Sequence, residues 1–258
     1  MEPTLEYANV TGRPSSRFVR TAAALSRGVA SVQRQHPGYA AQWHAANLRA
    51  LSAPGPRWTV LGDSMSLGIG STAYDAGWVN QLQAELETAG LALPIVNLSA
   101  SGARVPDVLN QQLPAWRALP PAPELVTVLI GSNDLMSRTH RDALPAAFAE
   151  LIAQLPRGAV VATMPQPRAA ARAVNALLTA AAERGDITLV DMRSSGPASW
   201  RGRLAADHFH PNELGYAGIA EAFSAPVRRA LASIVQPLPL SGRQALHDRE
   251  LSQKEVPS

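Results

Sequence analysis

From Trp58 onward, short runs of almost wholly apolar residues alternate with longer amphipathic stretches. The short runs are Trp58–Leu61, Ile95–Leu98, Leu125–Ile130, Ala159–Thr163 and Ile187–Asp191. Between them, apolar residues recur at helical spacing over 76–90, 104–118, 142–155 and 168–185, with a last such stretch at 212–235. A strand that is apolar at nearly every position is buried on both faces. A parallel sheet sandwiched between helices buries its strands in that way. The pattern predicts an α/β domain of three layers, α/β/α, around a five-stranded parallel sheet. In an open sheet of this kind, ligands bind beyond the carboxyl ends of the strands.

Residues 1–56 follow another rhythm. Phe18, Ala22, Leu25, Val29 and Val32 recur at helical spacing, and Pro37-Gly38 is the expected break. Pro54-Gly55-Pro56 ends the stretch. This predicts an N-terminal helical extension, 1–56, packed on the main domain, 57–236. Narrowing the site and mediating an oligomer stay open as its uses, and the oligomeric state is not given by the sequence. A basic helix can also lie on a membrane surface, but its apolar face here is weak. The polar, proline-bearing residues 237–258 read as a loosely held tail.

Composition narrows the function classes. The chain is 46% apolar but only 5% aromatic, so an aliphatic core is expected. Of its 23 basic residues only Lys254 is lysine, and the arginines neither cluster nor interleave with aromatics. No nucleic-acid partner is expected from that distribution. The absence of cysteine excludes disulfides, thiolate metal sites and a cysteine nucleophile. No apolar run approaches the roughly 18 to 20 residues of a membrane span, so stable membrane insertion is not expected. The N-terminus begins with acidic residues and carries no apolar stretch of signal-peptide length, so the expected location is cytoplasmic.

Chemistry enters at the strand ends. Gly62-Asp63-Ser64 follows the first run, Ser99–Arg104 the second, and Gly131-Ser132-Asn133-Asp134 the third, so topology brings all three to one edge. A serine hydroxyl becomes a good nucleophile only when a base within hydrogen-bond reach takes its proton. Ser64 is the candidate nucleophile. Ser66 competes, but Ser64 stands closer to the strand end, and its own N–H can face a substrate carbonyl. The base comes from Asp207-His208-Phe209-His210-Pro211. Asp207 and His210, three apart on a tight loop, can place a carboxylate on Nδ1 and leave Nε2 toward the serine. His208 is the rival, and its adjacency to Asp207 makes the same bond awkward. The tetrahedral intermediate also needs donors, removal of one costing about two orders of magnitude in rate. Gly102 can bring a backbone N–H close, and Asn133 can donate from its side-chain amide. Alone, each residue has a plainer use: a helix-capping serine, a turn glycine, a turn-capping asparagine.

Together and in this order, the four segments resemble the blocks of the SGNH hydrolases, also called GDSL-type esterases and lipases. The similarity covers about residues 57–235. It implies a flavodoxin-like sheet, a catalytic Ser64–His210–Asp207 triad, and an oxyanion hole built by the Ser64 and Gly102 N–H groups with the Asn133 amide. It implies structural roles for Asp63 and Asp134. It also implies a small-molecule ester substrate and no metal or other cofactor. The first block reads Gly-Asp-Ser-Met-Ser here, a variation that keeps the nucleophile, and the resemblance assigns nothing to residues 1–56.

Two other readings are weaker. Gly68-Ile69-Gly70-Ser71-Thr72-Ala73 loosely fits a dinucleotide fingerprint but begins seven residues after the strand, where that motif starts at once. A catalytically silent domain of the same fold would not need competent residue types at all five positions. Large apolar residues are scarce in the loops, which points to short-chain acyl or acetyl esters, with lysophospholipids and thioesters as alternatives. Trp78, Met164, Pro165 and Phe209 are the candidate walls.

Overall fold

A computed structural model describes residues 4–14, 17–122 and 124–235. The expected tail, 237–258, and the Phe18 side chain lie outside the described residues. The sheet holds five strands, β1 (Arg57–Gly62), β2 (Ile95–Asn97), β3 (Glu124–Leu129), β4 (Ala159–Ala162) and β5 (Ile187–Val190). Their order is β2-β1-β3-β4-β5, and every pairing is parallel. The reversal of direction between β1 and β3 puts the switch point beside the residues that follow β1.

The helices are α1 (Arg17–Leu25), α2 (Arg27–Leu51), α3 (Trp78–Thr88), α4 (Val105–Asp107), α5 (Leu113–Arg117), α6 (Ser132–Met136), α7 (Arg138–Arg141), α8 (Leu144–Gln154), α9 (Ala169–Glu183) and α10 (Glu213–Val235). A π-helical turn, Val108–Gln112, joins α4 to α5. On one face of the sheet, side chains of α2, α3 and α10 pack on Trp58, Val60, Val160 and Val190. On the other, the α4–α5 region, α8 and α9 pack on Val96, Val126, Val128 and Val161. The fold is thus the expected three-layer α/β/α architecture.

The N-terminal helices break elsewhere than the sequence suggests. Pro37 lies inside α2, and the interruption falls at Ser26. Ser26 is extended, at φ −126°, and its Oγ accepts the Val29 N–H. A proline inside a helix costs about 3 kcal/mol. Val32, Tyr39 and Trp43, all buried against the sheet, each return roughly 1.5–3 kcal/mol. Pro37 and Gly38 both face outward.

Segment 4–14 runs along the exit of β2. Val10 makes an isolated parallel bridge to Ser101, and Asn9 Nδ2 donates to the carbonyls of Asn97 and Ser99. Asn47, from α2, exchanges two hydrogen bonds with the Asn97 backbone, at 2.7 and 2.8 Å. No helix among the described residues is long and apolar enough to cross a membrane.

Candidate active site

The chain leaves β1 at Gly62 because nothing larger fits there. A Cβ on residue 62 would stand 2.6 Å from both the Leu129 carbonyl oxygen and Ser66 Oγ. Gln112, on the π-helical turn, holds the Gly62 backbone from both sides, accepting its N–H at 2.9 Å and donating to its carbonyl at 2.8 Å. Such turns often sit at functional sites, but no spacing in the sequence marks Gln112. The next residues fold into tight turns, with the Asp63 carbonyl accepting the Ser66 and Leu67 N–H groups.

Ser64 emerges from this turn with its Oγ 3.0 Å from His210 Nε2. His210 Nδ1 lies 2.6 Å from Asp207 Oδ2. Asp207 Oδ1 accepts the backbone N–H groups of Phe209 and His210, both at 3.0 Å. His208 makes this loop geometry available, since it takes the left-handed φ of +56° that turns the chain back on itself. Its side chain is exposed. Ser66, the competing serine, is buried beneath Gly62. The structure therefore brings Ser64, His210 and Asp207 into one chain of contacts and leaves both rivals out of it.

Burial disfavours the Asp207 charge, but the His210 ring and the two N–H groups outweigh it and hold the carboxyl below its usual range. His36, on α2, meets the His210 ring edge-on at 6.0 Å. Burial and the neighbouring His210 push His36 down to about 4, so it adds no second positive charge near neutral pH. Burial raises Asp63 to about 7 and Asp134 to about 6. Both bond to loop backbone: Asp63 accepts the Met65 N–H at 3.0 Å, and Asp134 accepts the Val105 N–H at 3.2 Å.

Asn133 sits in the first turn of α6, after Gly131 at φ +113°. Its amide donates to the Ala103 carbonyl at 2.9 Å and makes a long, 3.5 Å contact with Asp63 Oδ2. One N–H thus orients the side chain and ties it to the Gly102 loop, while the other is only weakly engaged. Gly102 is exposed at φ +74°. Gly70, part of the weak dinucleotide fingerprint, has a steric purpose instead, since a Cβ there would meet the Pro211 carbonyl oxygen at 2.5 Å and His210 Cβ at 2.8 Å.

A cavity of about 480 Å³ opens beside Ser64, Asn133 and His210. Four of the five methionines of the chain (Met65, Met136, Met164 and Met192) line it, with Trp200, Leu204, Phe209 and Ile219. Pro165 is also in the wall. Trp78 is not; it is fully buried and stacks on Phe223 with ring centroids 4.3 Å apart.

Comparison with known proteins concerns the fold and the family. The fold is similar to that of a family 3 carbohydrate esterase from Clostridium thermocellum, with 19% identity, 70% of this chain and 100% of that one aligned, and a TM-score of 0.60. It is similar to an alpha/beta hydrolase from the metagenome of Lake Arreo, Spain, at 26% identity, with 69% and 98% coverage and a TM-score of 0.53. It is also similar to an acetyl xylan esterase from Geobacillus stearothermophilus, at 20% identity, with 68% and 95% coverage and a TM-score of 0.50. No curated protein sequence matches the chain. Residues 60–217 match the GDSL-like Lipase/Acylhydrolase family, and since that is more than half of the 258 residues, the chain belongs to this family.

Proposed function

We propose that the protein is a serine esterase that hydrolyses carboxylic esters through an acyl-enzyme. The observation that carries this reading is the run of contacts from Ser64 Oγ to His210 Nε2 and from His210 Nδ1 to Asp207, at the mouth of an apolar cavity. In this scheme His210 takes the hydroxyl proton as Ser64 Oγ forms a bond to the ester carbon. The carbonyl oxygen becomes an oxyanion, which accepts hydrogen bonds from the Ser64 and Gly102 N–H groups and the weakly engaged N–H of Asn133. Collapse of this intermediate breaks the bond to the alkoxy group, which leaves with the proton held by His210. Water then repeats the sequence, releasing the carboxylic acid and restoring Ser64. Asp207 keeps the Nδ1–H tautomer and stabilises the imidazolium.

A fluorophosphonate probe is expected to add once per chain, to the peptide that holds Ser64. No labelling, or labelling mapped to another residue, overturns the reading and returns a silent domain of the same fold.

The cavity favours a medium-length acyl chain over acetyl. A space of 480 Å³ has the size that holds a drug-like ligand, and an acetyl group would leave most of it to water. Methionine is unbranched and polarizable, so a wall rich in it adapts to a flexible chain. Each buried methylene contributes about 0.8 kcal/mol, and about two of them give a factor of ten. The kcat/KM for p-nitrophenyl octanoate is therefore expected to exceed that for the acetate by at least about tenfold. A profile that is flat or falls with chain length returns the reading to short acyl groups.

A further inference from the structure

The segment before α1 lies outside the matched region 60–217, yet it holds the Gly102 loop on both sides of the glycine. Upstream, Val10 bridges to Ser101. Downstream, Arg13 Nη2 donates to the Gly102 carbonyl at 2.9 Å. The guanidinium is itself held, because Nη1 and Nη2 donate to the two oxygens of Asp107, the latter at 2.6 Å. Asp107 is buried and also accepts the Arg104 N–H at 2.7 Å.

Gly102 lies in a turn closed by the Ala103 N–H, which donates to the Ala100 carbonyl at 3.0 Å. At φ +74° no atom beyond its chain neighbours lies within 4 Å of where a Cβ would stand, so packing adds no restraint to that bond. The closing bond of a turn survives a flip of its central peptide, here the one that carries the Gly102 N–H, and glycine tolerates either setting. That flip would turn its N–H away from a reacting carbonyl.

We propose that Arg13 is a positioning residue for ester hydrolysis: it ties the Gly102 carbonyl to Asp107 while Val10 bridges Ser101, and with the backbone fixed on both sides of the glycine the Gly102 N–H stays aimed at the oxyanion. The inference rests on the esterase reading above. It requires arginine rather than a generic cation. A planar fork can serve two carboxylate oxygens and a carbonyl together, whereas an ammonium is a point charge on a flexible stem. Arg13 is 41% exposed, so solvent screens its side of the pair, and without it the buried Asp107 still accepts the Arg104 N–H.

The test compares Arg13→Ala and Arg13→Lys with the unaltered chain by fluorophosphonate labelling, in which the phosphoryl oxygen takes up charge against the same donors. Loss of a whole oxyanion donor costs about 10²–10³ in rate, so a donor left free to turn is expected to slow labelling by at least about tenfold in Arg13→Ala. The final amount labelled should stay the same, and in ester turnover kcat should fall with KM within about twofold. Arg13→Lys should recover only part of the rate. Labelling as fast as in the unaltered chain overturns the proposal, as does a smaller labelled fraction at unchanged rate, since that reports fewer folded molecules. Full recovery by lysine would remove the geometric argument. If the unaltered chain is not labelled, the esterase reading falls and the proposal with it; normal labelling of Arg13→Ala leaves the esterase reading standing and removes only Arg13.

Discussion

Replacing Ser64 with alanine is expected to lower kcat by about 10⁶-fold, the loss typical when the nucleophile of such a catalytic unit is removed. That is about 8 kcal/mol of barrier. The size follows from what the substitution takes away. The Oγ is the atom that His210 Nε2 faces at 3.0 Å, and in the proposed scheme no acyl-enzyme forms without it. Alanine leaves the turn otherwise intact, because the turn is held by backbone: the Asp63 carbonyl accepts two N–H groups, and the Ser64 carbonyl accepts that of Ile69. Thermal unfolding should therefore shift by only a few degrees, which separates lost chemistry from lost structure. Steady-state turnover of an activated ester measures the effect. Activity above about one per cent of the unaltered chain would remove Ser64 from the role of nucleophile.

The second large effect is expected at Asp207, where asparagine should lower kcat by about 10⁴-fold. Asparagine keeps an oxygen for the Phe209 and His210 N–H groups, so the loop can hold its shape. Its amide then presents an N–H to His210 Nδ1, which drives the ring proton to Nε2 and points a donor at Ser64 where an acceptor is needed. The sign with pH follows from the depressed Asp207 titration. A carboxyl held below its usual range contributes its full interaction above that range and loses it as the pH falls through its folded value. Turnover by the unaltered chain is thus expected not to be limited by Asp207 near neutrality. A loss smaller than about tenfold in Asp207→Asn would mean that another group orients His210.

The sequence carries the parts of this fold that repeat locally. Each strand is a continuous apolar run, so its existence is visible without knowing its neighbours, and the structure shifts the ends of β1 to β5 by no more than one residue. Asp207 and His210 are close in sequence, and a three-residue offset on a turn is enough to pair them. What escapes is whatever depends on distant partners. Arg13 meets Asp107 across 94 positions, and Gln112 meets Gly62 across 50. Neither carries a periodic signature. Helices α6 and α7 are too short to show one. Pro37-Gly38 misleads because local propensity marks a break there, while burial of Tyr39 and Trp43 on the opposite face carries α2 through. Trp78 misleads for a related reason: an isolated aromatic does not tell whether its neighbour will be a cavity or Phe223.

Helix α2 also changes what counts as the smallest working piece of this protein. Gln35, Tyr39 and Trp43 all reach backbone atoms of the turn that follows Ser64, at Gly70, Ser71 and Leu67. The Cβ of a residue larger than Gly28 would collide with the Ala206 carbonyl, beside the loop that presents Asp207. Both loops of the proposed chemistry therefore lean on a helix that lies outside the recognisable family region. A border drawn at Pro54-Gly55-Pro56, where the chain looks most divisible, would sever the loops of Ser64 and Asp207 from their scaffold. For transplantation or shortening, the natural unit begins upstream of α2.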